Sequence, residues 1–236
     1  MYDWEYGAVS FIDILGFSSI VGDDARKLNP KNLERINDGL NEVRQTSRDS
    51  NVEIILFSDS IVLSTRLENS SIVNMLEDSI AVQRSLITRG ILTRGGIAFG
   101  KHYQDEKTLY SEALIKAYNI ETKYAKFPRI VIDSDLLDWI TNDNDTTTEQ
   151  AQKICDLSIC DKDGYSFLDY LSPDLLECSL QILNSAHSSI TNPSILEKYH
   201  WLDSYHNYKC RLHNTQLLCE TYTQGFQKNL GHSQTP

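Results

Sequence analysis

A chain of 236 residues can bury a core without disulfides, and its five thiols, Cys155, Cys160, Cys178, Cys210 and Cys219, lack a CxxC pair, so they read as a reduced cytoplasmic set. The 33 acidic against 22 basic side chains give a net charge of -11 with no Lys/Arg-rich run, which excludes nucleic acid and anionic membrane as general partners. The start, Met-Tyr-Asp-Trp-Glu, has no basic region leading into an apolar stretch, and no run approaches the ~18 apolar residues of a spanning helix. A cytoplasmic protein is expected.

The first apolar run, Ala8 to Leu15, predicts a buried strand with Asp13 near its end. Gly16 then opens a turn in which Phe17, Ser18 and Ser19 begin a helix, whose free amides suit phosphate groups. Pro30 fits the first turn of a helix reaching Arg44, with Leu33, Ile36, Leu40 and Val43 as its buried stripe. Val52 to Phe57 and Ile61 to Thr65 read as a hairpin with Ser58, Asp59 and Ser60 at its tip. Ser70 or Ser71 caps a long helix that stops at Gly90. Leu92 to Phe99 is a strand whose Gly95 and Gly96 invite close approach of another backbone. A helix from Ser111 to Ala125, a strand from Arg129 to Ile132 and a short helix from Leu136 to Ile140 complete a core over residues 1–141.

Residues 142–228 read as an elaboration packed on that core. It comprises a polar loop (Asn142 to Glu149), a hairpin (Leu157 to Cys160 and Tyr165 to Leu168) turning at Asp161 to Gly164, and helical pattern from Pro173 to about Lys228. Residues 229–236 read as a flexible tail. The order βααββαβ followed by αβαβ indicates an α+β fold, an α/β sandwich. His200, His206 and His213 are six and seven residues apart, which does not match the i, i+4 spacing of a helix-borne metal pair. With Trp201, Leu202, Tyr205 and Leu212 around them, Tyr199 to Tyr208 is expected to pack in the core or at a dimer contact.

Taken singly, Asp13 or Asp59 reads as a turn residue. Two carboxylates at the ends of neighbouring apolar runs need another explanation, because a buried charge is costly unless paired or metal-bound. Mg²⁺ or Mn²⁺ supplies one, since such cations commonly use one or two protein carboxylates plus substrate phosphates.

The segments FIDILGF, FSDS and LTRGGIAFG, in this order and spacing, resemble the catalytic domain of class III nucleotidyl cyclases. The FSDS form and the late segment KYHWLDSYHN are similar to the bacterial pyrimidine cyclases of Pycsar anti-phage systems. This resemblance implies a cyclase-like βααββαβ core with a central, mostly antiparallel sheet, and two Mn²⁺ or Mg²⁺ ions held by Asp13, Asp59 and the carbonyl of Ile14. It also implies a homodimer with composite sites that converts UTP, or CTP, to the 3′,5′-cyclic nucleotide and pyrophosphate, the product acting on a separate effector protein. Purine members carry an adenine-reading lysine four residues before the second metal aspartate; here that position is Ile55, and the paired acidic position is Thr108. Losing both hydrogen-bonding groups favours another base. The superfamily's Asn-x-x-x-Arg pair falls on Ile115 and Asn119 and is missing. Its cation is expected from Lys123 or Arg129, with Lys116 and Arg94 as further choices, although Arg94 reads as structural beside the Gly-Gly pair. A purine cyclase and a non-catalytic nucleotide-sensing module are the alternatives.

Overall fold

The computed structural model describes residues 4–46, 51–105, 107–143 and 145–219. Strand β1 (Glu5–Ile14) is followed by helices α1 (Phe17–Lys27) and α2 (Lys31–Thr46), and then by the hairpin β2 (Glu53–Phe57) and β3 (Ser60–Arg66). Helix α3 (Asn69–Ile87) leads to β4 (Thr93–Gln104), β5 (Leu109–Ser111), α4 (Glu112–Lys123) and β6 (Ile130–Ile132). Then come α5 (Ser134–Asn142), α6 (Thr148–Asp156), the hairpin β7 (Ser158–Cys160) and β8 (Ser166–Leu168), and helices α7 (Leu176–Ser189) and α8 (Pro193–Leu212).

The eight strands form one sheet in the order β2-β3-β1-β4-β6-β8-β7, with β5 paired to β4. Only the β4–β6 pair is parallel, so the α+β class and its mostly antiparallel sheet hold. The hairpin β7–β8, from the C-terminal elaboration, extends this same sheet through β6.

Strand pleating sorts the side chains of β1 between two layers. Ala8, Ile12 and Ile14 join Ile72, Met75 and Leu76 of α3 and Ile36 and Leu40 of α2 in the larger core. Val9 points the other way, towards Ala113, Ala117 and Ile120 of α4. Helix α4 lies against β4 because Gly96 has no side chain: a Cβ there would stand 2.3 Å from the Ala117 carbonyl oxygen. The neighbouring Gly95 gives the same closeness to β1, where a Cβ would meet the Phe11 carbonyl oxygen at 2.4 Å.

Several local expectations need correction. Leu33 is 53% exposed, so the buried stripe of α2 is Ile36, Leu40 and Val43. Helix α3 begins after Glu68, which makes no side-chain cap; Ser71 is buried inside its first turn, and Ile72 N–H bonds the Glu68 carbonyl at 2.9 Å. The polar loop after Asn142 gives way to α6, opened by a capping box between Thr147 and Gln150. The short β5, paired with β4, was not anticipated. Helix α8 stops at Leu212, Asn214 turns the chain with φ of 53°, and residues 215–219 return along α8. The expected tail, 229–236, lies outside the described residues. Among the described residues no helix is long and apolar enough to cross a membrane.

Candidate active site

The end of β1 and the β2–β3 tip are tied together at the main chain. Asp13 lies opposite Ser60 in the β1–β3 register, and Ile14 N–H donates to the Asp59 carbonyl at 2.9 Å. Ser58, with φ of 56°, makes the tip tight enough to bring Asp59 there. The two predicted aspartates are therefore neighbours.

Arg94 stands directly across from Asp13 in the β1–β4 register. Its Nε donates to Asp13 Oδ2 at 3.1 Å, and its Nη2 lies 2.6 Å from Glu121 Oε1 of α4, outside the alignment of a hydrogen bond. Burial pushes the Asp13 and Glu121 carboxyls up; Arg94 pulls both down, and Asp59 pushes both up again. One guanidinium thus faces two carboxylates with a third, Asp59, close enough to repel both, an excess of negative charge in a half-buried place. The Asp13 side chain is 19% exposed, and its Oδ1 has no hydrogen bond among the described residues. An all-oxygen donor set with surplus negative charge fits a hard divalent cation such as Mg²⁺ or Mn²⁺.

Beside the aspartates, Gly16 caps α1 in the left-handed region, φ 75°, without a side-chain cap. The amides of Ser19 and Ile20 bond the Gly16 carbonyl, and those of Phe17 and Ser18 have no intrahelical partner. Phe17 is half-buried against the core, and Ser18 and Ser19 are exposed. Ile55 of β2 pairs with Val62, which pairs with Phe11, so the position of the purine-reading lysine belongs to an apolar row next to the row of Asp13.

The expected cations are not brought to this place. Arg129 is fully buried and held by Asp161 and Asp163, with Nη2 also donating to the Tyr124 carbonyl at 3.1 Å. Its guanidinium lies over Phe127 and Trp201, 5.4 and 5.8 Å from their ring centres. These partners make Arg129 a brace of the β7–β8 turn, which corrects the catalytic reading. Lys123 is exposed in the last turn of α4, and two residues beyond Glu121 it projects from another face of the helix. Lys116 pairs with Glu112 at 3.1 Å. Arg94, read from sequence as structural, is the cation that touches Asp13. Glu121 was missed altogether, although the sequence held a signal: an acidic residue four after Ala117 continues the buried stripe of α4.

A hollow of about 600 Å³ lies away from the aspartates towards the start of β1. On the face carrying Asp13, the apolar row is followed by a polar row that borders this hollow. There Ser64 Oγ donates to Gln104 Oε1 at 2.7 Å, and Gln104 Nε2 donates to Glu53.

Trp201 and Tyr205 belong to the core, Trp201 packing flat against Phe127 and donating its ring N–H to Asp161 at 2.6 Å. His206 is held between Ser179 and the Leu217 carbonyl.

No protein-family model and no curated protein matches the chain. Among solved structures, a double mutant of the guanylyl cyclase domain of the RhoGC fusion protein from the aquatic fungus Blastocladiella emersonii aligns with a TM-score of 0.50 at 14% identity, over 70% of this chain and 93% of that one. The adenylyl cyclase CyaB from P. aeruginosa aligns with a TM-score of 0.49 at 18% identity, over 74% and 99%. The guanylyl cyclase Cya2 gives 0.46 at 17% identity, over 71% and 92%. The chain has the fold of the RhoGC guanylyl cyclase domain.

Proposed function

We propose that this protein is a pyrimidine nucleotide cyclase that converts UTP to 3′,5′-cyclic UMP and pyrophosphate in a homodimer. The observation that carries the reading is the meeting of Asp13 and Asp59, locked by the Ile14–Asp59 main-chain bond beside Arg94. Asp13, Asp59 and the Ile14 carbonyl hold the Mg²⁺ or Mn²⁺ pair. When bound, that pair acidifies the ribose 3′-hydroxyl and neutralises phosphate charge. The 3′-oxygen attacks the α-phosphorus as the bond to pyrophosphate breaks, so positioning and charge stabilisation are most of what the protein supplies. The Phe17 and Ser18 amides at the start of α1 bind the β- and γ-phosphates. Arg94 exchanges its bond to Asp13 for phosphate oxygens and replaces the missing Asn-x-x-x-Arg arginine.

The same sheet face supports the pyrimidine reading. A pyrimidine ring packs on the row Ile55, Val62 and Phe11, and its polar edge is read by the row Glu53, Ser64 and Gln104. The exposed Phe57, Ile115 and Tyr118 support dimerisation through the side of the sheet that carries α4. By resemblance, the product is a second messenger of anti-phage defence acting on a separate effector, and CTP is the next substrate to consider. The test is incubation of purified protein with ATP, GTP, CTP and UTP, each with Mn²⁺, and product identification by mass spectrometry. Cyclic UMP supports the reading, cyclic CMP changes its base, and a cyclic purine as main product rejects the pyrimidine assignment.

A further inference from the structure

A second concentration of ligating side chains lies in the C-terminal part of the chain, where the segment after α8 folds back. His187 from the last turn of α7, Asp203 from α8 and Cys219 from the returning segment place one nitrogen, one oxygen and one sulfur within 4.8 Å of one another. Asp203 is fully buried. Its Oδ1 accepts from Asn207 Nδ2 at 2.7 Å, its Oδ2 stands 4.0 Å from His187 Nε2, and the carboxyl also interacts with the Cys219 side chain. The 4.0 Å separation is too long for a hydrogen bond, and a tetrahedral ion with bonds of ~2.0 Å would draw the two atoms in to about 3.3 Å.

Asn207 organises the cluster from behind. Besides holding Asp203 Oδ1, it donates to the Cys219 carbonyl at 3.1 Å and accepts from the Cys219 amide at 2.8 Å. One side chain therefore fixes both a carboxylate and the backbone that presents the thiol, as outer residues of metal sites do. His206, through the Leu217 carbonyl, holds the same segment in place. His200 stands one turn before Asp203 on α8, its ring 6.3 Å from that of His187.

We propose that His187, Asp203 and Cys219 bind a zinc-class divalent cation, with His200 completing a tetrahedral set, as a structural site that fastens residues 215–219 to α7 and α8. The chemistry selects the metal: a thiolate disfavours Mg²⁺, Mn²⁺ and Ca²⁺, and mixed sulfur, imidazole and carboxylate ligation in four-coordinate geometry suits Zn²⁺. The charges also close. Cys219 releases its proton on binding, so one thiolate and one carboxylate neutralise the ion and leave a buried neutral centre. The site is separate from the aspartate pair and independent of the proposed reaction. Spacing along the chain hid it, because its ligands come from three segments rather than from one helix.

The test uses full-length protein carrying Asp59→Asn, which disables the proposed catalytic ion site, stripped with a chelator and titrated with Co²⁺. One equivalent should bind with tetrahedral d–d absorption and a thiolate-to-metal charge-transfer band, and Zn²⁺ should displace it. The band should vanish in Cys219→Ser and persist when the exposed Cys155 and Cys160 are both changed to serine. Zn²⁺ should also raise the Tm of the Asp59→Asn protein but not of the same protein with Cys219→Ser. Co²⁺ binding without the charge-transfer band, a band that survives Cys219→Ser, or a band lost with Cys155 and Cys160 overturns the proposal. The cluster is then hydrogen-bonded packing around a protonated Asp203, whose carboxyl burial pushes up. Should Cys219→Ser not fold, His187→Ala decides in its place: tetrahedral d–d absorption that survives His187→Ala overturns the proposal.

Discussion

Arg94 and Arg129 each hold two carboxylates, yet their surroundings differ in exposure and in charge balance. Arg129 is wholly buried, with Asp161 and Asp163 on one edge and the faces of Phe127 and Trp201 against it. Arg94 is 27% exposed and shares its charge between Asp13 and Glu121, both of which also feel the negative charge of the nearby Asp59. The first arrangement is closed and can only brace. The second is open and short of positive charge, so its carboxylates have capacity left for an incoming ion. Two arginine–carboxylate clusters in one chain thus separate into a fastening and a candidate reaction centre by exposure and by the third carboxylate, Asp59, beside the second.

The comparison can be broken most sharply at the aspartates. Asp13→Asn or Asp59→Asn is expected to lower cyclase turnover by about three orders of magnitude, roughly 4 kcal/mol of barrier, with an unchanged circular-dichroism spectrum. At Arg129 the expected loss is in stability instead. Arg129→Ala strands two carboxylates and should cost about 3 kcal/mol in denaturant unfolding, at the low end for a broken buried pair because Asp163 is 39% exposed. Arg94→Ala should reverse that pattern, lowering kcat about a hundredfold with little change in Tm, and Arg94→Lys should recover part of the rate. If Arg94→Ala instead unfolds the protein and Arg129→Ala only slows it, the two roles have been exchanged.

The smallest expected effect concerns pH. Burial raises the Asp13 carboxyl above its unfolded value, so the folded state holds its proton more tightly, and stability falls as pH rises through the folded pKa. Asp13→Asn removes that penalty. Without added divalent cation the variant should melt slightly above the wild type at neutral pH, and the difference should vanish below the unfolded carboxylate pKa of about 4. An equal difference at both pH values would mean that the gain has another origin.

The meeting of Asp13 and Asp59 was legible because each aspartate terminates a local apolar run, and the runs also disclosed the strands that carry them. The order of elements indicated the α+β class, and the mostly antiparallel sheet was implied by the resemblance. The surroundings of Arg94 and Arg129 were not legible, since Arg129 finds its carboxylates 32 and 34 residues later in a turn that had no local tie to it. Glu121 was hidden among the helix-forming polar residues of α4 until Arg94 explained its burial. Helix α6 was overlooked despite the Thr147 to Gln150 capping signature, because the acidic and threonine-rich composition before it read as loop. The return of residues 215–219 depends on side-chain bonds from His206 and Asn207, which no periodicity encodes.

The central claim is that Asp13, Asp59 and Arg94 form one reacting centre. The most direct test is single-turnover conversion of UTP with Mn²⁺ by the wild type, Asp59→Asn and Arg94→Ala, each at triphosphate concentrations that saturate binding. The account predicts stoichiometric cyclic UMP and pyrophosphate from the wild type, none from Asp59→Asn and a slowed but complete turnover by Arg94→Ala. Equal rates from all three proteins would contradict it.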